Sequence, residues 1–130
     1  MIGIVIVAHG RLATELKNAT EHVVGPQDCM IAIQISADEN RSRAQAAICE
    51  AADAVDRGHG VVLVTDMYGG SPSNLSLNAC KPQNRKIVTG VNLPMLIKLA
   101  KSRALSVDEA VKHCVAAGKR YINAFDGATE

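Results

Sequence analysis

Three features of this 130-residue chain could do chemistry together. His9 follows one apolar run, Asp66 follows another, and the glycine–serine turn 69–71 comes shortly after Asp66. A carboxylate that accepts a hydrogen bond from one ring nitrogen of a histidine fixes the tautomer and leaves the other nitrogen free to attack. Backbone amides at the start of a helix can hold an anion such as a phosphoryl group. If the fold brings the three features together, they predict phosphorylation of His9.

The glycine–serine turn is typical of a strand that leads directly into a helix. Gly69 and Gly70 allow a tight turn and a close approach of the backbone to another group. Ser71 and Pro72 are typical of a helix N-cap and the first helical residue. We therefore predict that the Ser71 side chain and the two glycine amides contact the phosphoryl group. The amide of Gly10 is predicted to join them from the end of another strand.

Each of these features also has an ordinary structural explanation. A histidine after a strand is more often structural or simply solvated than functional, and short motifs alone decide little. An aspartate at a strand end is often a turn residue or a cap. A Gly-Gly-Ser-Pro turn is common in loops. The functional interpretation therefore depends on whether the strand order places His9 beside Asp66.

Four apolar stretches predict the strands that would position these residues. The runs 2–8 and 61–65 are apolar without alternation, which is typical of strands buried on both faces. The run 30–35 alternates in part and is expected near an edge, and 85–91 is the fourth strand. The stretch 121–125 alternates weakly and is either a last short strand or more helix.

Helical spacing of apolar residues predicts a helix after each strand. The expected helices are one from Leu12 that ends before Gly25, one capped by Ser36 or Asp38, one over 73–80, one capped by Asn92, and one from Ser106 to a stop at Gly118.

This alternation predicts an α/β fold, a flavodoxin-like three-layer sandwich with a mainly parallel sheet. In the strand order 2-1-3-4 the first and third strands are neighbours and flank the switch point where ligands gather. His9 and Asp66 would then lie side by side at one edge of the sheet. Tyr68 and Asn92 are predicted to line the same crevice.

Composition excludes several other classes of function. A net charge of +1 argues against nucleic acid and anionic membranes as partners. No apolar run approaches the roughly 20 residues of a membrane span, and no basic segment precedes the first apolar run as in a signal peptide. The four cysteines are scattered without a CxxC spacing, so we expect free thiols in the cytoplasm, no metal site and no cofactor.

The sequence resembles the IIA component of the mannose family of the phosphoenolpyruvate-dependent sugar phosphotransferase system (PTS). The resemblance covers essentially the whole chain and depends most on three segments, VAHG at 7–10, DMYGGSPSN at 66–74 and GVNLPM at 90–95. It implies a single IIA domain over 1–130 that acts as a phosphotransferase with a phosphohistidine intermediate. His9 would accept a phosphoryl group from HPr and pass it to a cysteine- or histidine-bearing IIB component, while Asp66 orients His9 and Ser71 binds the phosphoryl oxygens.

The resemblance also implies a homodimer, in which a C-terminal strand is exchanged and pairs antiparallel with the sheet of the second subunit. The segment 121–125 would be that strand here. The family often has tryptophan where this chain has Tyr68. The sequence stops at residue 130 without a IIB domain, so we expect either a stand-alone IIA protein or a domain cut from a longer protein. A stand-alone protein suggests a regulatory IIA as the alternative function. The residues do not identify the sugar.

Three other classes fit the residues less well. Histidine phosphatases carry Arg-His-Gly, whereas here arginine follows the glycine in AHGR at 8–11. The phosphotransfer subunit of dihydroxyacetone kinase is similar around the histidine but lacks the two later segments. A nucleotide-binding domain would need a Walker loop or a Gly-x-Gly-x-x-Gly motif, and neither is present.

Overall fold

Strands and helices alternate along the chain in a computed structural model that describes residues 1–36, 38, 40–67 and 84–128. The elements are β1 (Gly3–His9), α1 (Leu12–Val24), β2 (Met30–Ile35), α2 (Arg41–Val55), β3 (Val61–Thr65), β4 (Arg85–Thr89), α3 (Leu93–Lys101) and α4 (Val107–Arg120). The predicted helix over 73–80 and the predicted site residues Tyr68, Gly69, Gly70 and Ser71 lie outside the described residues.

The four described strands form one parallel sheet in the order β2-β1-β3-β4. The predicted fold class and strand order are therefore confirmed. Val7 of β1 lies opposite both Ile33 of β2 and Thr65 of β3, so β1 and β3 are adjacent and end at the same edge. This register brings the residues after the two strands close to each other.

Helices cover both faces of the sheet, because β1 and β3 present apolar side chains to both sides. Ile4 and Ile6 of β1 pack in a cluster with α1, α3 and α4. Val5 and Val7 point to the opposite face and pack in a second cluster with α2. The described residues thus form the three layers predicted from the apolar runs.

Three helix starts show how local sequence sets the element boundaries. The Asn92 side chain caps α3 by accepting a 3.0 Å hydrogen bond from the Met95 amide, and Ser106 caps α4 by accepting one of 3.2 Å from the Glu109 amide. Both caps were predicted. Neither Ser36 nor Asp38 caps α2; Asn40 does so, because its extended backbone directs its Oδ1 at the Arg43 amide, 3.1 Å away.

Gly118 is not the end of α4, contrary to the prediction, because the helix continues to Arg120. It is buried where α4 approaches α3. A Cβ added at this glycine would lie 3.1 Å from Met95 Cε and 3.4 Å from Asn92 Oδ1. The Gly118 carbonyl also accepts a 3.0 Å hydrogen bond from Asn92 Nδ2. The glycine therefore lets two helices approach closely and ends neither of them.

Gly118→Val should destabilise the fold by about 1–3 kcal/mol, because the branched side chain overpacks the contact between α3 and α4. Urea unfolding followed by circular dichroism would measure the loss. Ala116→Val, on the exposed side of the same helix, is the matched control and should cost much less. Equal losses in the two variants would show that helix propensity, and not the close approach, determines the effect.

Candidate functional site

His9 and Asp66 meet at the edge of the sheet where β1 and β3 end. His9 is the last residue of β1, and Asp66 directly follows β3. One carboxylate oxygen, Asp66 Oδ2, lies 2.8 Å from His9 Nδ1 and 3.1 Å from the His9 backbone nitrogen. Because the backbone amide and the ring both donate to the same oxygen, the position of the imidazole is fixed at two points. The structure thus brings together the first two residues of the predicted site.

This hydrogen bond determines which ring nitrogen of His9 is available for reaction. An ionised carboxylate only accepts hydrogen bonds, so Nδ1 must carry the proton. Nε2 is then the nitrogen with the free lone pair, and no described residue hydrogen-bonds to it. The His9 side chain is 51% exposed and that of Asp66 only 13%. A nucleophilic nitrogen is therefore presented to solvent while its partner carboxylate is shielded.

The pKa of Asp66 reflects two opposing effects. Burial on its own would raise the pKa of this carboxyl group, but the hydrogen bonds from the His9 ring and backbone outweigh burial and lower it. Asp66 Oδ1 is buried and has no hydrogen-bond partner among the described residues. The carboxylate is therefore charged at neutral pH and directs that charge mainly at His9. Such a charge stabilises the positive charge that grows on an imidazole when Nε2 reacts.

The first turn of α1 lies directly after His9. Its N-cap residue is Arg11, whose side chain makes no capping hydrogen bond, so no described side chain caps the first amides of the helix. The N-terminus of a helix carries partial positive charge and favours an anion nearby. The start of α1 therefore favours negative charge at His9.

Gly10 already has a role in the local backbone. Its φ of 56° lies in the left-handed region, which explains the glycine. Its amide donates a 2.9 Å hydrogen bond to the Ile35 carbonyl of β2, so it is engaged in the connection between β1 and α1. A phosphoryl contact from Gly10 would have to share this hydrogen bond, and that contact stays a prediction.

Asn92 uses its whole side-chain amide within the fold. Its Oδ1 caps α3 and its Nδ2 donates to Gly118 of α4. Its predicted place in the lining of the crevice stays a prediction. The same holds for Tyr68, Gly69, Gly70 and Ser71, since they lie outside the described residues.

The described residues show neither a metal cluster nor a membrane span. No group of three or more His, Cys, Asp or Glu side chains in the described ranges is arranged to hold a metal ion. Cys114 is buried in the core, and burial raises the pKa of its thiol to about 11. No described helix combines the length and apolar character needed to cross a bilayer.

Comparison with known families identifies the class of protein. The family model described as the PTS system fructose IIA component matches residues 3–117. The chain belongs to this family. The predicted resemblance is thus confirmed, and the role of a PTS IIA component is that of a phosphocarrier in the sugar phosphotransferase system.

The relatives of this IIA component differ in length. This chain is 27% identical over 104 residues to the fructose-specific EIIA component of Bacillus subtilis. The aligned residues cover 79% of this chain and 71% of that protein. The chain is 29% identical over 126 residues to the mannose-specific EIIAB component of Escherichia coli; these cover 95% of this chain and 39% of that protein. The chain therefore spans about two fifths of the longer relative.

A solved structure supports the fold of this IIA component independently. The phosphotransferase system component EIIA from Streptococcus agalactiae superposes with a TM-score of 0.85 and 26% identity, covering 95% of this chain and 97% of that one. The contact between the His9 amide and Asp66 was not predicted for this IIA component. No sequence signal could have indicated it, because any residue at position 9 carries the same amide.

Proposed function

We propose that His9 of this IIA component accepts a phosphoryl group from HPr on Nε2 and passes it to a IIB component. The observation that supports this most is the 2.8 Å hydrogen bond between His9 Nδ1 and Asp66, with Nε2 left exposed. The half-exposed ring suits a reaction partner that is itself a protein. We place this exchange in the cytoplasm.

The transfer is a displacement at phosphorus. The lone pair of Nε2 forms a bond to phosphorus while the bond between phosphorus and the donor breaks, and the donor group keeps the electron pair. The Nδ1 proton stays on His9, held by Asp66, so the ring becomes cationic as the bond forms. The adjacent carboxylate stabilises that cation. The reverse displacement, by a nucleophile of the IIB component, restores the neutral imidazole.

The phosphoryl oxygens need donors that balance their negative charge. We propose that the Gly69 and Gly70 amides and the Ser71 hydroxyl provide them. Their position in the chain supports this, since the turn begins three residues after Asp66. The first amides of α1 supply additional positive potential at the same edge.

A homodimer is proposed from the exposed C-terminal arm, residues 121–128. Tyr121, Ile122 and Phe125 are 65%, 73% and 89% exposed, although apolar side chains of this size are usually buried. Residues 122–128 form neither helix nor strand in the single chain, and β4 is an edge strand of the described sheet. We propose that the arm of one copy pairs antiparallel with β4 of the second, which would bury these side chains.

The double variant Ile122→Ser with Phe125→Ser should therefore sediment as a monomer, because it removes apolar area that association would bury. Sedimentation velocity measures the change directly. Ala128→Ser, at the end of the same arm, is the matched control and should stay dimeric. A wild-type chain that sediments as a monomer over the micromolar range would refute the proposed exchange.

The proposed transfer is tested by reconstitution with purified components. Incubation with radiolabelled phosphoenolpyruvate, enzyme I and HPr should label the chain, and omission of HPr should prevent labelling. Addition of a IIB component should then discharge the label. Absence of labelling with HPr present would refute the proposal. Labelling that no IIB component discharges would favour the regulatory alternative, in which the phosphorylation state signals to other proteins.

Asp66→Asn should slow phosphorylation by on the order of 100-fold while leaving the protein folded, because the amide can still accept from Nδ1 but carries no charge. Quench-flow kinetics with phosphorylated HPr would measure the rate, and circular dichroism the fold. Asp108→Asn, an exposed carboxylate on α4, is the control for a loss of charge. An unchanged rate in Asp66→Asn would show that the carboxylate orients the ring without contributing charge.

A further inference from the structure

A groove lies between α3 and α4 on their outer side, away from the sheet. It encloses about 630 Å³, and neither His9 nor Asp66 lines it. Its apolar surface comes from Pro94 and Ile97 of α3, from the small side chains Ala116 and Ala117 of α4, and from Tyr121, the first residue of the C-terminal arm. The groove is therefore a separate surface from the described part of the candidate site.

Basic side chains surround this apolar surface. Lys98 and Lys101 line the groove from α3, and Arg120 and His113 line it from α4. No acidic side chain is among its described lining residues. Within the described ranges, none of the three permanent cations has a carboxylate partner. Because the whole chain has a net charge of only +1, the positive potential here is a local feature.

Helix dipoles alone do not explain where these cations lie. Lys98, Lys101 and Arg120 are in the last turns of their helices, where positive charge is favourable. However, the start of α3 contacts the end of α4 through Asn92 and Gly118, so the two C-terminal ends lie at opposite ends of the groove. A lysine or arginine in the last turn can point in any direction around the helix and still satisfy the dipole. Both such residues of α3, Lys98 and Lys101, line the groove, and so does Arg120, one of the two in α4.

The spacing of the lining residues shows that the groove runs along both helices. Each wall presents positions i, i+3, i+4 and i+7 of its helix, which is one continuous face. An amphipathic helix laid into such a groove contacts both walls with its apolar side. We propose that this groove binds an acidic amphipathic helix of a partner protein. Its apolar ridge would pack on Ile97, Ala116 and Ala117, and its Asp or Glu residues would pair with the groove cations.

A pair of designed peptides tests this proposal on the full chain. The first is an amphipathic helix of about 16 residues, with leucine on one face and glutamate on both flanks; the second has lysine in place of glutamate. Fluorescence anisotropy should show the acidic peptide binding at least about tenfold more tightly than the basic one, with an affinity that falls as salt is added.

Substitutions on the chain locate the binding. Ile97→Asp should weaken binding of the acidic peptide about tenfold or more, and so should the double variant Lys98→Glu with Lys101→Glu. Lys119→Glu makes the same kind of charge change on α4 outside the groove and should change the affinity by less than about twofold. Circular dichroism would verify that all variants are folded, and labelling through His9 should be unchanged in each.

Three results would overturn the proposal. The first is equal binding of the two peptides, or no binding of either. The second is an affinity for the acidic peptide that does not change in Ile97→Asp. An affinity that Lys119→Glu lowers as much as the Lys98→Glu, Lys101→Glu double variant does would count in the same way. The third is binding to the Ile122→Ser, Phe125→Ser variant but not to wild type, which would assign the groove to the C-terminal arm of the chain itself.

Discussion

His9→Gln will abolish phosphorylation of this chain by HPr, with labelling at least about 1,000-fold below wild type. Removal of a nucleophile that forms the covalent intermediate leaves no group to take its place. Glutamine is similar in size and can still hydrogen-bond to Asp66, so the loss should be chemical rather than structural. Of the four histidines, only His9 has a ring nitrogen held by a carboxylate in the described residues.

His22→Gln is the matched control, since His22 lies exposed in the last turn of α1. It should label like wild type at the same concentration of HPr. Thermal unfolding should show that both variants are folded. Persistence of labelling in His9→Gln, or its disappearance in His22→Gln, would mean that the acceptor has been assigned to the wrong residue.

Arg103→Met will cost about 3 kcal/mol of stability, although Arg103 lies in a loop. Arg103 is only 6% exposed. Its Nε donates 2.8 Å to the Ile2 carbonyl, its Nη2 donates 2.8 Å to the Cys29 carbonyl, and its Nη1 donates 3.2 Å to Gln27 Oε1. Its own carbonyl accepts a 3.0 Å bond from the Ile2 amide. One side chain thus joins the start of β1, the α1–β2 connection and the α3–α4 connection.

The expected loss has a specific origin. Burial lowers the pKa of Arg103, which shows that desolvation of its charge is unfavourable, and the acceptor oxygens compensate for that desolvation. Methionine of similar length would leave the Ile2 carbonyl without its side-chain donor. Cys29 would keep one partner, the Ile4 amide at 3.0 Å. We therefore expect a moderate loss, measured by urea unfolding, rather than complete unfolding.

Arg57→Met is the matched control, because Arg57 is exposed in the connection before β3. This variant should lose less than about 0.5 kcal/mol of stability. The stability of Arg103→Lys should lie between those of wild type and Arg103→Met, because an ammonium group cannot reach three acceptors in different directions. A loss below about 0.5 kcal/mol in Arg103→Met would show that the loops hold their positions without this side chain.

The sheet could be predicted from the sequence because its signals are local. The unbroken apolar runs of β1 and β3 indicate central strands. His9 ends one of these adjacent parallel strands and Asp66 directly follows the other, so both must lie at one edge of the sheet. The caps Asn92 and Ser106 could also be predicted from the sequence, because a cap and the amide it contacts are only three residues apart. These parts depend on patterns within a few residues of one another.

The parts that could not be predicted depend on contacts between elements. A glycine such as Gly118 is typical of a helix end. However, the close approach of Met95 and Asn92 at the start of α3 requires a glycine inside α4 at this position. In α1 the apolar residues Leu12 and Val23 are 45% and 55% exposed, while the polar Thr20 is buried. The lysines and arginines show no stripe in the sequence, because the groove combines cations from two different helices.

In the candidate site, too, strand order could be predicted, whereas contacts between elements could not. The pairing of His9 with Asp66 follows from strand order, but the bond from the Gly10 amide to Ile35 depends on where β2 ends. The two hydrogen bonds of Asn92 likewise follow from the packing of α3 against α4. Sequence patterns therefore predicted that His9 and Asp66 meet, and the structure specifies which atoms of His9, Gly10 and Asn92 are already engaged.

The position of the phosphoryl group on His9 is the most direct test of this account. The bond from Nδ1 to Asp66 leaves Nε2 as the only ring nitrogen that can attack. Long-range ¹H–¹⁵N correlation spectra of the phosphorylated chain, labelled with ¹⁵N-histidine, distinguish the two ring nitrogens. We predict phosphorus on Nε2 with Nδ1 still protonated. Phosphorus on Nδ1, or on any other residue, would contradict the account.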